Sequence, residues 1–417
     1  MLKHKVSGTK FLGKVQMDKK TIRDVDVSGK RVLVRVDFNV PLSEGEVTDD
    51  TRIRATLPTI NYLLENGAKV ILMSHLGRPK GVEEKYRLDP VAKVLSGLLQ
   101  KEVKKVDKTV SDEAKKAVSE LEPGNVLLLE NLRFNPGEEK NDPHFAKELA
   151  SLGDIYVNDA FGVAHRAHAS VTGVTHHLPS VAGFLLEKEV RELYALLEHP
   201  KRPFFAVLGG NKISDKIGVI HKFLELVDGL VTGGGIGYTF LKAKGVYIGQ
   251  SICEDEELEH ARAMLKKAEK NGVKIYIPLD AVVTKEFDPD AYYKVVPIGE
   301  IPKGWMGLDI GPKTIKTYKE ALKEAKTIFW NGPLGVFEMA SFDRGTRSIA
   351  EAIVSSSATT IVGGGDSDAA LRQYGLEDKV SYISTGGGAS LKFLEGNSLP
   401  GIDALLDKTN VPNKVKN

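Results

Sequence analysis

The hydrophobic positions of the chain form two kinds of pattern, which predict two kinds of element. Short apolar runs such as residues 69–73 and 204–208 are rich in β-branched or aromatic residues and predict buried strands. Longer stretches, of which residues 184–198 are the clearest, repeat apolar residues every three or four positions and predict amphipathic helices. Because the two kinds alternate along the chain, the sequence predicts an α/β fold with mostly parallel sheets flanked by helices.

Glycine clusters follow the predicted strands of the second half. The clusters that follow such a strand are Gly209-Gly210, Gly233–Gly235, Gly363–Gly365 and Gly386–Gly388. Glycine lets the backbone approach a phosphate closely, and the N–H groups of a helix N-terminus point towards an anion. One such cluster is ordinarily only a tight turn. Several of them at the carboxyl edge of one parallel sheet favour a nucleotide site.

Basic residues follow the predicted strands of the first half instead. They are Arg52, His75, Arg78, Arg133 and Arg166. A guanidinium group can hold a carboxylate or a phosphate through two parallel hydrogen bonds. A single arginine after a strand is ordinarily a solvated surface charge, but this set together favours an anionic substrate. Arg52 also begins a predicted helix, which is a poor place for a cation unless an anion is near.

The change from basic to glycine-rich strand ends predicts two domains on either side of the helix at 184–198. The predicted boundaries are an N-terminal extension (1–16), a first domain (17–185), an interdomain helix (186–200), a second domain (201–390) and a C-terminal segment (391–417) that returns to the first domain. The helix is a candidate hinge, although a plain connecting helix would have the same sequence.

Further positions in the second half fit parts of a nucleotide. Lys212 and Lys216 follow a glycine pair and suit two phosphates, although lysines four apart are also common on a solvated helix face. The segments 304–312 and 328–338 mix apolar residues with glycine, so they could wall an adenine, with Glu338 accepting from a ribose. A turn at the edge of the core would explain these segments equally well.

Composition removes several classes of protein. The 417 residues are enough for two domains, and 58 basic against 56 acidic residues do not suggest nucleic-acid binding. The single cysteine, Cys253, excludes an internal disulfide and suits a reducing compartment. No apolar run approaches the roughly 18 residues of a membrane span. Residues 1–16 are rich in lysine and lack the apolar segment of a signal peptide, so we interpret them as an extension ahead of Met17.

Three motif-based interpretations of the sequence are disfavoured. Residues 8–15 nearly match a Walker A loop, but Val15 replaces the hydroxyl residue that would bind magnesium. No glycine cluster completes the dinucleotide fingerprint Gly-x-Gly-x-x-Gly. His165 and His168 have metal-ligand spacing, but their neighbours are cationic and no carboxylate or thiol cluster accompanies them.

Taken together, the motifs resemble phosphoglycerate kinase. They occur in order from about Lys19 to Asp407: Val36–Pro41, Ser74–Pro79, Glu130–Phe134, Ala164–His168, Lys212–Lys216, Asn331–Pro333 with Glu338, and Gly363–Asp366. The resemblance implies two Rossmann-like domains that close on each other, and a reversible phosphoryl transfer between 1,3-bisphosphoglycerate and MgADP that gives 3-phosphoglycerate and MgATP. It also implies a cytoplasmic monomer in glycolysis whose partners are these small molecules, not nucleic acid or membrane.

The resemblance also implies site residues. The residues expected to bind the acid substrate are Asp37, Asn39, Arg52, His75, Arg78, Arg133 and Arg166. Those expected to bind the nucleotide are Lys212, Lys216, Gly307, Asn331, Glu338, Gly364, Gly365, Asp366 and Ser367, with Asp366 on Mg²⁺. Asn211 and Gly237 depart from the usual pattern beside the nucleotide, which leaves the nucleotide preference less defined than the activity.

A carboxylate acceptor is already ionised near neutral pH because its pKa is about 4, so no general base is needed. We assign Arg52 and Lys212 to the transferring group, with the amides of Gly386, Gly387 and Gly388 as a helix-terminal anion hole. A non-catalytic sensor would be expected to have lost Arg52, Lys212 or Asp366, yet all are present. A dehydrogenase is disfavoured by the missing dinucleotide fingerprint.

Overall fold

The computed structural model describes residues 18–408. These residues form two compact units, the first made of residues 18–191 and 398–408 and the second of residues 192–397. The predicted extension 1–16, the near-match to a Walker A loop and the tail after residue 408 lie outside the described residues. Within the described residues, no helix is both long and apolar enough to cross a bilayer.

The first unit is built on a six-stranded parallel sheet with the order β5-β6-β4-β1-β7-β8, beside a small β2-β3 hairpin. Its strands are β1 (Arg31–Arg35), β2 (Leu42–Ser43), β3 (Glu46–Val47), β4 (Lys69–Met73), β5 (Val103–Lys105), β6 (Val126–Leu128), β7 (Ile155–Asn158) and β8 (Ser180–Ala182). The chain adds strands on one side of β1 and returns to the other side at β7. The crevice at such a reversal, outside the carboxyl ends of the strands, is where ligands of open α/β sheets bind.

Helices cover this sheet and bury its apolar residues. They are α1 (Thr51–Glu65), α2 (Asp89–Leu99), α3 (Asp112–Ser119) and α4 (Pro143–Ala150), followed by α5 (Phe184–Glu198). The main core joins side chains of β1 and β4, such as Val34 and Leu72, to Ile60 of α1 and Leu95 of α2. The boundary between the two units falls inside α5, after Arg191.

The second unit contains a six-stranded parallel sheet with the order β11-β10-β9-β15-β16-β17, and an antiparallel sheet with the order β13-β12-β14. The strands are β9 (Phe204–Leu208), β10 (Gly229–Thr232), β11 (Lys274–Tyr276), β12 (Asp280–Thr284), β13 (Tyr293–Pro297), β14 (Met306–Ile310), β15 (Thr327–Asn331), β16 (Thr359–Gly363) and β17 (Tyr382–Ser384). The strand order of the parallel sheet reverses between β9 and β15, which predicts a ligand crevice at Leu208 and Asn331.

The helices of the second unit follow those strands. They are α6 (Ile217–Leu226), α7 (Gly234–Ala243), α8 (Leu258–Asn271), α9 (Pro312–Leu322), α10 (Arg344–Val354), α11 (Gly365–Gln373) and α12 (Gly388–Leu394). A last short helix, α13 (Pro400–Asp403), belongs to the first unit. The α/β class, the parallel sheets and the helix at 184–198 are therefore confirmed.

Candidate functional site

The polar residues predicted at the strand ends of the first unit do come together. Asp37 follows β1, His75 follows β4, Arg133 follows β6 and Arg166 follows β7. These four strands are neighbours in one parallel sheet, so their carboxyl ends meet at one edge. Arg52, the second residue of α1, reaches the same edge, where its Nη1 lies 2.6 Å from Asp37 Oδ2.

Asp37 is the anionic centre of this basic group. Burial alone would raise its pKa, but the charges of Arg52 and Arg35 and a hydrogen bond from the Asn39 N–H outweigh that effect and lower the pKa of Asp37. Burial holds the pKa of His75 well below its usual value, although the carboxylate of Asp37 opposes this. At neutral pH His75 is thus a neutral imidazole among cations.

Arg133 and Asn39 hold the loop after β4. The Nη1 of Arg133 donates to Gly77 O at 2.6 Å, and the Gly77 N–H donates to Asn39 Oδ1 at 2.8 Å. The Nε of Arg133 lies 3.0 Å from the exposed carboxylate of Glu139. Burial lowers the pKa of Arg133, and the nearby cations Arg166 and Arg35 lower it further. This crowding of like charges favours an anion between them.

One predicted substrate residue stands apart. Arg78 is exposed on the loop after β4, and among the described residues it forms no hydrogen bond or ion pair. The structure therefore brings Asp37, Asn39, Arg52, His75, Arg133 and Arg166 together, and leaves Arg78 on the surface of the same unit.

A buried network behind this edge was missed by the sequence analysis. Arg35, at the end of β1, donates to Ser170 Oγ at 2.8 Å, and Ser170 Oγ donates to Glu138 Oε1 at 2.6 Å. Glu138 also lies 3.7 Å from His168 Nδ1, and Arg35 Nη2 lies 3.3 Å from His75 Nδ1. The available signal in the sequence was Arg35 inside an apolar strand, because a buried cation needs hydrogen-bond or ion-pair partners.

The second unit forms a polar cavity of about 460 Å³ at the predicted crevice between β9 and β15. Its lining residues are Gly210, Asn211, Lys212, Asp215, Lys216, Asn331, Gly332, Gly364, Gly365, Asp366, Ser367, Gly387, Gly388 and Leu391. Three of the predicted glycine clusters thus contribute to one cavity. Gly386 is not part of the lining, and its N–H donates to Ser384 Oγ at 3.2 Å.

The two lysines of this cavity are placed differently. Lys212 is exposed in the loop before the 3₁₀ turn Ser214–Lys216. Lys216 is buried, and its Nζ donates to Gly209 O at 2.5 Å and Asn331 O at 3.1 Å. Burial lowers the pKa of Lys216 to about 8, although Asp366 and Asp215 act in the opposite direction. A single helix does not carry both lysines.

Close backbone packing shapes the same cavity. Asn331 Nδ2 donates to Gly363 O at 2.7 Å, and the Gly332 N–H donates to Ser367 Oγ at 2.6 Å. Gly332 has a φ of +92°, and a Cβ there would overlap the carbonyl of Gly209. Asp366 is exposed in the first turn of α11. These bonds fix the turns after β15 and β16 around an open space.

A second, mainly apolar cavity of about 580 Å³ adjoins the polar one, and the two share Gly210, Asn211 and Asp366. Its walls include Met306, Leu308, Leu334, Val336 and Met339, and Glu338 and Gly307 also line it. Such a slot can take a flat heterocycle, with Glu338 as a hydrogen-bond acceptor.

Several details fix the shape of this apolar cavity. The Gly307 N–H donates to Ser251 Oγ at 2.9 Å, and a Cβ at Gly307 would overlap the hydroxyl of Tyr238, another lining residue. Trp330 is buried in the core, and its Nε1 donates to Gly332 O at 2.8 Å. The segment 328–338 therefore contributes the cavity wall through Leu334 and Val336, and Trp330 does not line it.

The two units thus have complementary chemistry. The first presents clustered cations suited to a small polyanion, and the second joins an apolar slot to a cavity lined by lysines, glycine amides and the two exposed carboxylates of Asp215 and Asp366. Within the described residues, no group of three or more His, Cys, Asp or Glu side chains is placed to hold a metal by itself. A single carboxylate can still share a magnesium ion with substrate phosphates.

Comparisons with known proteins agree on one family. The family model described as phosphoglycerate kinase matches residues 22–397. A curated phosphoglycerate kinase from Moorella thermoacetica is 57% identical over 393 residues, which cover 94% of this chain and 100% of that protein.

Solved structures give the same result. The phosphoglycerate kinase of Coxiella burnetii superposes with a TM-score of 0.83 at 43% identity, covering 93% of this chain and 98% of that one. The phosphoglycerate kinase of Pyrococcus horikoshii OT3 gives 0.81 at 34% identity, with the same coverage.

Proposed function

The chain belongs to the phosphoglycerate kinase family, and from this premise we propose how its residues perform the reaction. The reaction is the reversible transfer of a phosphoryl group between 1,3-bisphosphoglycerate and ADP, which gives 3-phosphoglycerate and ATP. It makes the chain a phosphotransferase whose acceptor is a carboxyl group. In the direction of ATP use, a carboxylate oxygen attacks the γ-phosphorus while the bond to the β–γ bridging oxygen breaks.

We propose that the first unit binds the acid substrate. Arg133, Arg166 and neutral His75 surround the phosphate, because they converge at the carboxyl edge of the sheet and the two guanidinium groups repel each other in its absence. Asp37 accepts a hydrogen bond from the substrate hydroxyl, and the amide group of Asn39 donates to a substrate oxygen. Arg78 joins them by moving from its exposed position. Arg52, held by Asp37 at 2.6 Å, faces the reacting carboxylate.

The second unit holds the nucleotide in this proposal. The base lies in the apolar cavity beside Gly307, and Glu338 accepts from the ribose. The phosphates lie in the polar cavity against Lys212, Lys216, Asn331 and the segment Gly364–Ser367. Asp366, which lines both cavities, contacts the magnesium ion that enters with the nucleotide.

Catalysis then consists of positioning and charge neutralisation. The acceptor needs no general base because a carboxyl group with a pKa of about 4 is ionised at neutral pH. Arg52 and Lys212 neutralise charge on the transferring group. The N–H groups of Gly387 and Gly388, which line the polar cavity, add backbone donors, and Gly386 joins them when its bond to Ser384 is exchanged.

The ligands bind on different units, so the phosphoryl donor and acceptor must be brought together. We propose that the units close when both ligands are bound, with α5 as the hinge, and that the chain acts as a monomer in the cytoplasm. The domains correspond in this proposal to residues 17–185 and 201–390, joined by 186–200, with the C-terminal segment on the first domain.

One observation carries the proposal: the polar cavity lies at the strand-order reversal between β9 and β15 and opens into an apolar slot at Asp366. A coupled spectrophotometric assay tests it. Turnover should require ATP, magnesium and 3-phosphoglycerate together, and should vanish when any one is omitted. Binding of both ligands without turnover would instead support a non-catalytic sensor.

A further inference from the structure

The last described segment of the chain packs on the first unit, although it follows the second unit in sequence. Leu399, Ile402 and Leu405 of this segment are buried. The Lys20 N–H donates to Leu406 O at 2.7 Å, and the Leu406 N–H donates to Ser180 O at 2.9 Å. Residues 398–408 are therefore held in one fixed position on the first unit.

Gly401, in α13, makes the closest contact of this segment. Its N–H donates to Ala164 O at 2.8 Å, and Asn158 Nδ2 donates to its carbonyl at 2.9 Å. A Cβ at Gly401 would lie 2.7 Å from Val171 Cγ1, 3.0 Å from Ala164 Cα and 3.1 Å from Ala164 O. Only a hydrogen atom fits there, so backbone packs directly on backbone.

The Ala164 backbone continues directly into the segment that carries Arg166. Ala164 immediately precedes His165 and Arg166, and the Arg166 N–H donates to Val163 O at 2.9 Å. Asn158 holds the start of the same loop, because its Oδ1 accepts from the Ala160 N–H at 3.1 Å. Through these two hydrogen bonds Asn158, the last residue of β7, holds both Gly401 and the beginning of the loop at 160–166.

The position of the Arg166 side chain depends on the position of this loop. Its Nε lies 3.3 Å from His165 Nε2, and its charge lowers the pKa of both His75 and Arg133, so the guanidinium group is within electrostatic range of these two residues. A shift of the Ala164 backbone would move Arg166 relative to these two residues. A misplacement on the order of 1 Å in a substrate-positioning group can cost about a hundredfold in rate.

We infer that Gly401 is a positioning residue for the acid substrate: its direct backbone contact with Ala164 sets the location of Arg166. This inference rests on the proposed function, since it assumes that the acid substrate binds beside Arg166 at the carboxyl edge of the first sheet. Gly401 touches no reacting atom, and its effect passes through the loop at 160–166. Residues near the end of the described chain thereby belong to the recognition of a substrate held by the first unit.

The variants Gly401→Ala, Val171→Ala and the double variant test this inference. Calorimetry measures the Kd of 3-phosphoglycerate and of ADP, and the coupled assay measures KM and kcat. Gly401→Ala should weaken 3-phosphoglycerate binding by about tenfold, because a displaced Arg166 loses part of its charge-assisted hydrogen bonding to the phosphate, and should leave ADP affinity unchanged. Val171→Ala removes the nearest side-chain contact but leaves the contact with the Ala164 backbone, so the double variant should keep most of the loss, whereas Val171→Ala alone should bind both ligands normally.

A second variant covers the case in which Gly401→Ala does not fold. Asn158→Ser removes the donor to the Gly401 carbonyl, and serine can still accept from the Ala160 N–H. It should weaken 3-phosphoglycerate binding in the same direction, with ADP affinity unchanged.

The inference is overturned if folded Gly401→Ala binds 3-phosphoglycerate like the wild type, or if the double variant regains wild-type affinity, since the Val171 side chain and not the Ala164 backbone would then be responsible. It is also overturned if Asn158→Ser leaves the affinity unchanged. An equal loss of affinity for both ligands would indicate general destabilisation and would contradict it too. A wild-type chain that binds 3-phosphoglycerate but does not turn over would contradict the proposed function and leave the calorimetric test intact.

Discussion

Lys216 is the residue whose observed environment differs most from its sequence context. The sequence places it four residues after Lys212 and suggests a second exposed phosphate ligand. The structure buries its ammonium group against the carbonyls of Gly209 and Asn331. Asn331 is 115 residues away in sequence, so local periodicity could not reveal this contact.

The lowered pKa of Lys216 makes nucleotide binding proton-linked. Because its pKa is about 8 in the free protein, much of the population is neutral at pH 8.5. A bound phosphate favours the charged form and raises the pKa, so ADP binding at pH 8.5 should take up roughly half a proton. Calorimetry in two buffers of different ionisation enthalpy measures this uptake. The variant Lys216→Met should lose it, and an equal uptake in that variant would show that another group is responsible.

Among residues of the first unit, the sequence identified those at strand ends and missed those behind them. Asp37, His75 and Arg133 could be predicted because each lies within a few residues of the end of an apolar run. Arg35 and Glu138 could not, because their role depends on Ser170, which lies 135 residues from Arg35. The sequence did not identify Gly401 for the same reason, since its role depends on a contact with the distant residue Ala164.

Helix α7 contains two glycines with opposite tolerance for a side chain. A Cβ at Gly235 would overlap the backbone carbonyl of Asn211, which lines both cavities. A Cβ at Gly237 would meet the Pro278 ring, at 3.1 Å from Cδ and 3.2 Å from Cγ, and would make an ordinary contact with the Thr232 carbonyl carbon at 3.7 Å. The departure from the usual alanine at position 237 therefore does not reflect a blocked site.

The pair gives a matched experiment. Gly235→Ala should weaken ADP binding by about tenfold or more, because it displaces Asn211 in the wall of the polar cavity, where we propose that the phosphates bind. Gly237→Ala should keep normal ADP affinity and can gain up to about 1 kcal/mol of stability from the higher helix propensity of alanine. Calorimetry and urea unfolding measure both. Equal ADP affinity in the two variants would show that the Gly235 contact does not shape the cavity.

The N-terminus of helix α5 is hydrogen-bonded to the buried carboxylate of Asp159. The Leu185 N–H donates to Asp159 Oδ1 at 2.9 Å and the Leu186 N–H donates to the same oxygen at 3.2 Å. Burial raises the pKa of Asp159 to about 6, although these two N–H groups act in the opposite direction. The helix itself was predicted from its apolar period, but this anchor was not.

Asp159 should make stability fall as pH rises. Its folded pKa lies above its unfolded value, so its contribution is complete below about pH 4 and is lost as pH passes through 6. The shift corresponds to roughly 3 kcal/mol in the free energy of unfolding between pH 4 and pH 7. Urea unfolding of the wild type and Asp159→Asn at both pH values measures the difference.

Asp154 provides the control of opposite sign for this experiment. Its hydrogen bond with Arg31 lowers the pKa of Asp154, so the stability it contributes is lost as pH falls. Asp154→Asn should therefore differ from the wild type more at pH 7 than at pH 4. If Asp159→Asn follows the same trend as Asp154→Asn, the carboxyl at 159 does not titrate as its burial requires.

For the whole molecule, the division into a basic half and a glycine-rich half was visible in sequence, and the structure shows two units with those chemistries. The order of the strands was not visible, because it depends on which distant segments pair. The reversal between β9 and β15 joins segments more than 100 residues apart, and this reversal locates the polar cavity.

Closure of the two units is the expected whole-molecule response to substrates. In the proposed function the two ligands bind on separate units and must meet for transfer, so the radius of gyration should fall when 3-phosphoglycerate and a non-hydrolysable ATP analogue are added together. Small-angle scattering with each ligand alone is the control, and each should give a smaller change. Identical curves for the free and doubly liganded protein would contradict closure.

Turnover of four variants in the coupled assay tests the account most directly. Arg52→Ala and Lys212→Ala should each lower kcat by about a hundredfold, since each removes one contact that neutralises charge on the transferring group. Arg54→Ala, on the same helix as Arg52, and Lys244→Ala, an exposed lysine of the second unit, should keep wild-type kcat. Unchanged kcat in Arg52→Ala and Lys212→Ala, with both proteins folded, would contradict the assignment of these cations to phosphoryl transfer.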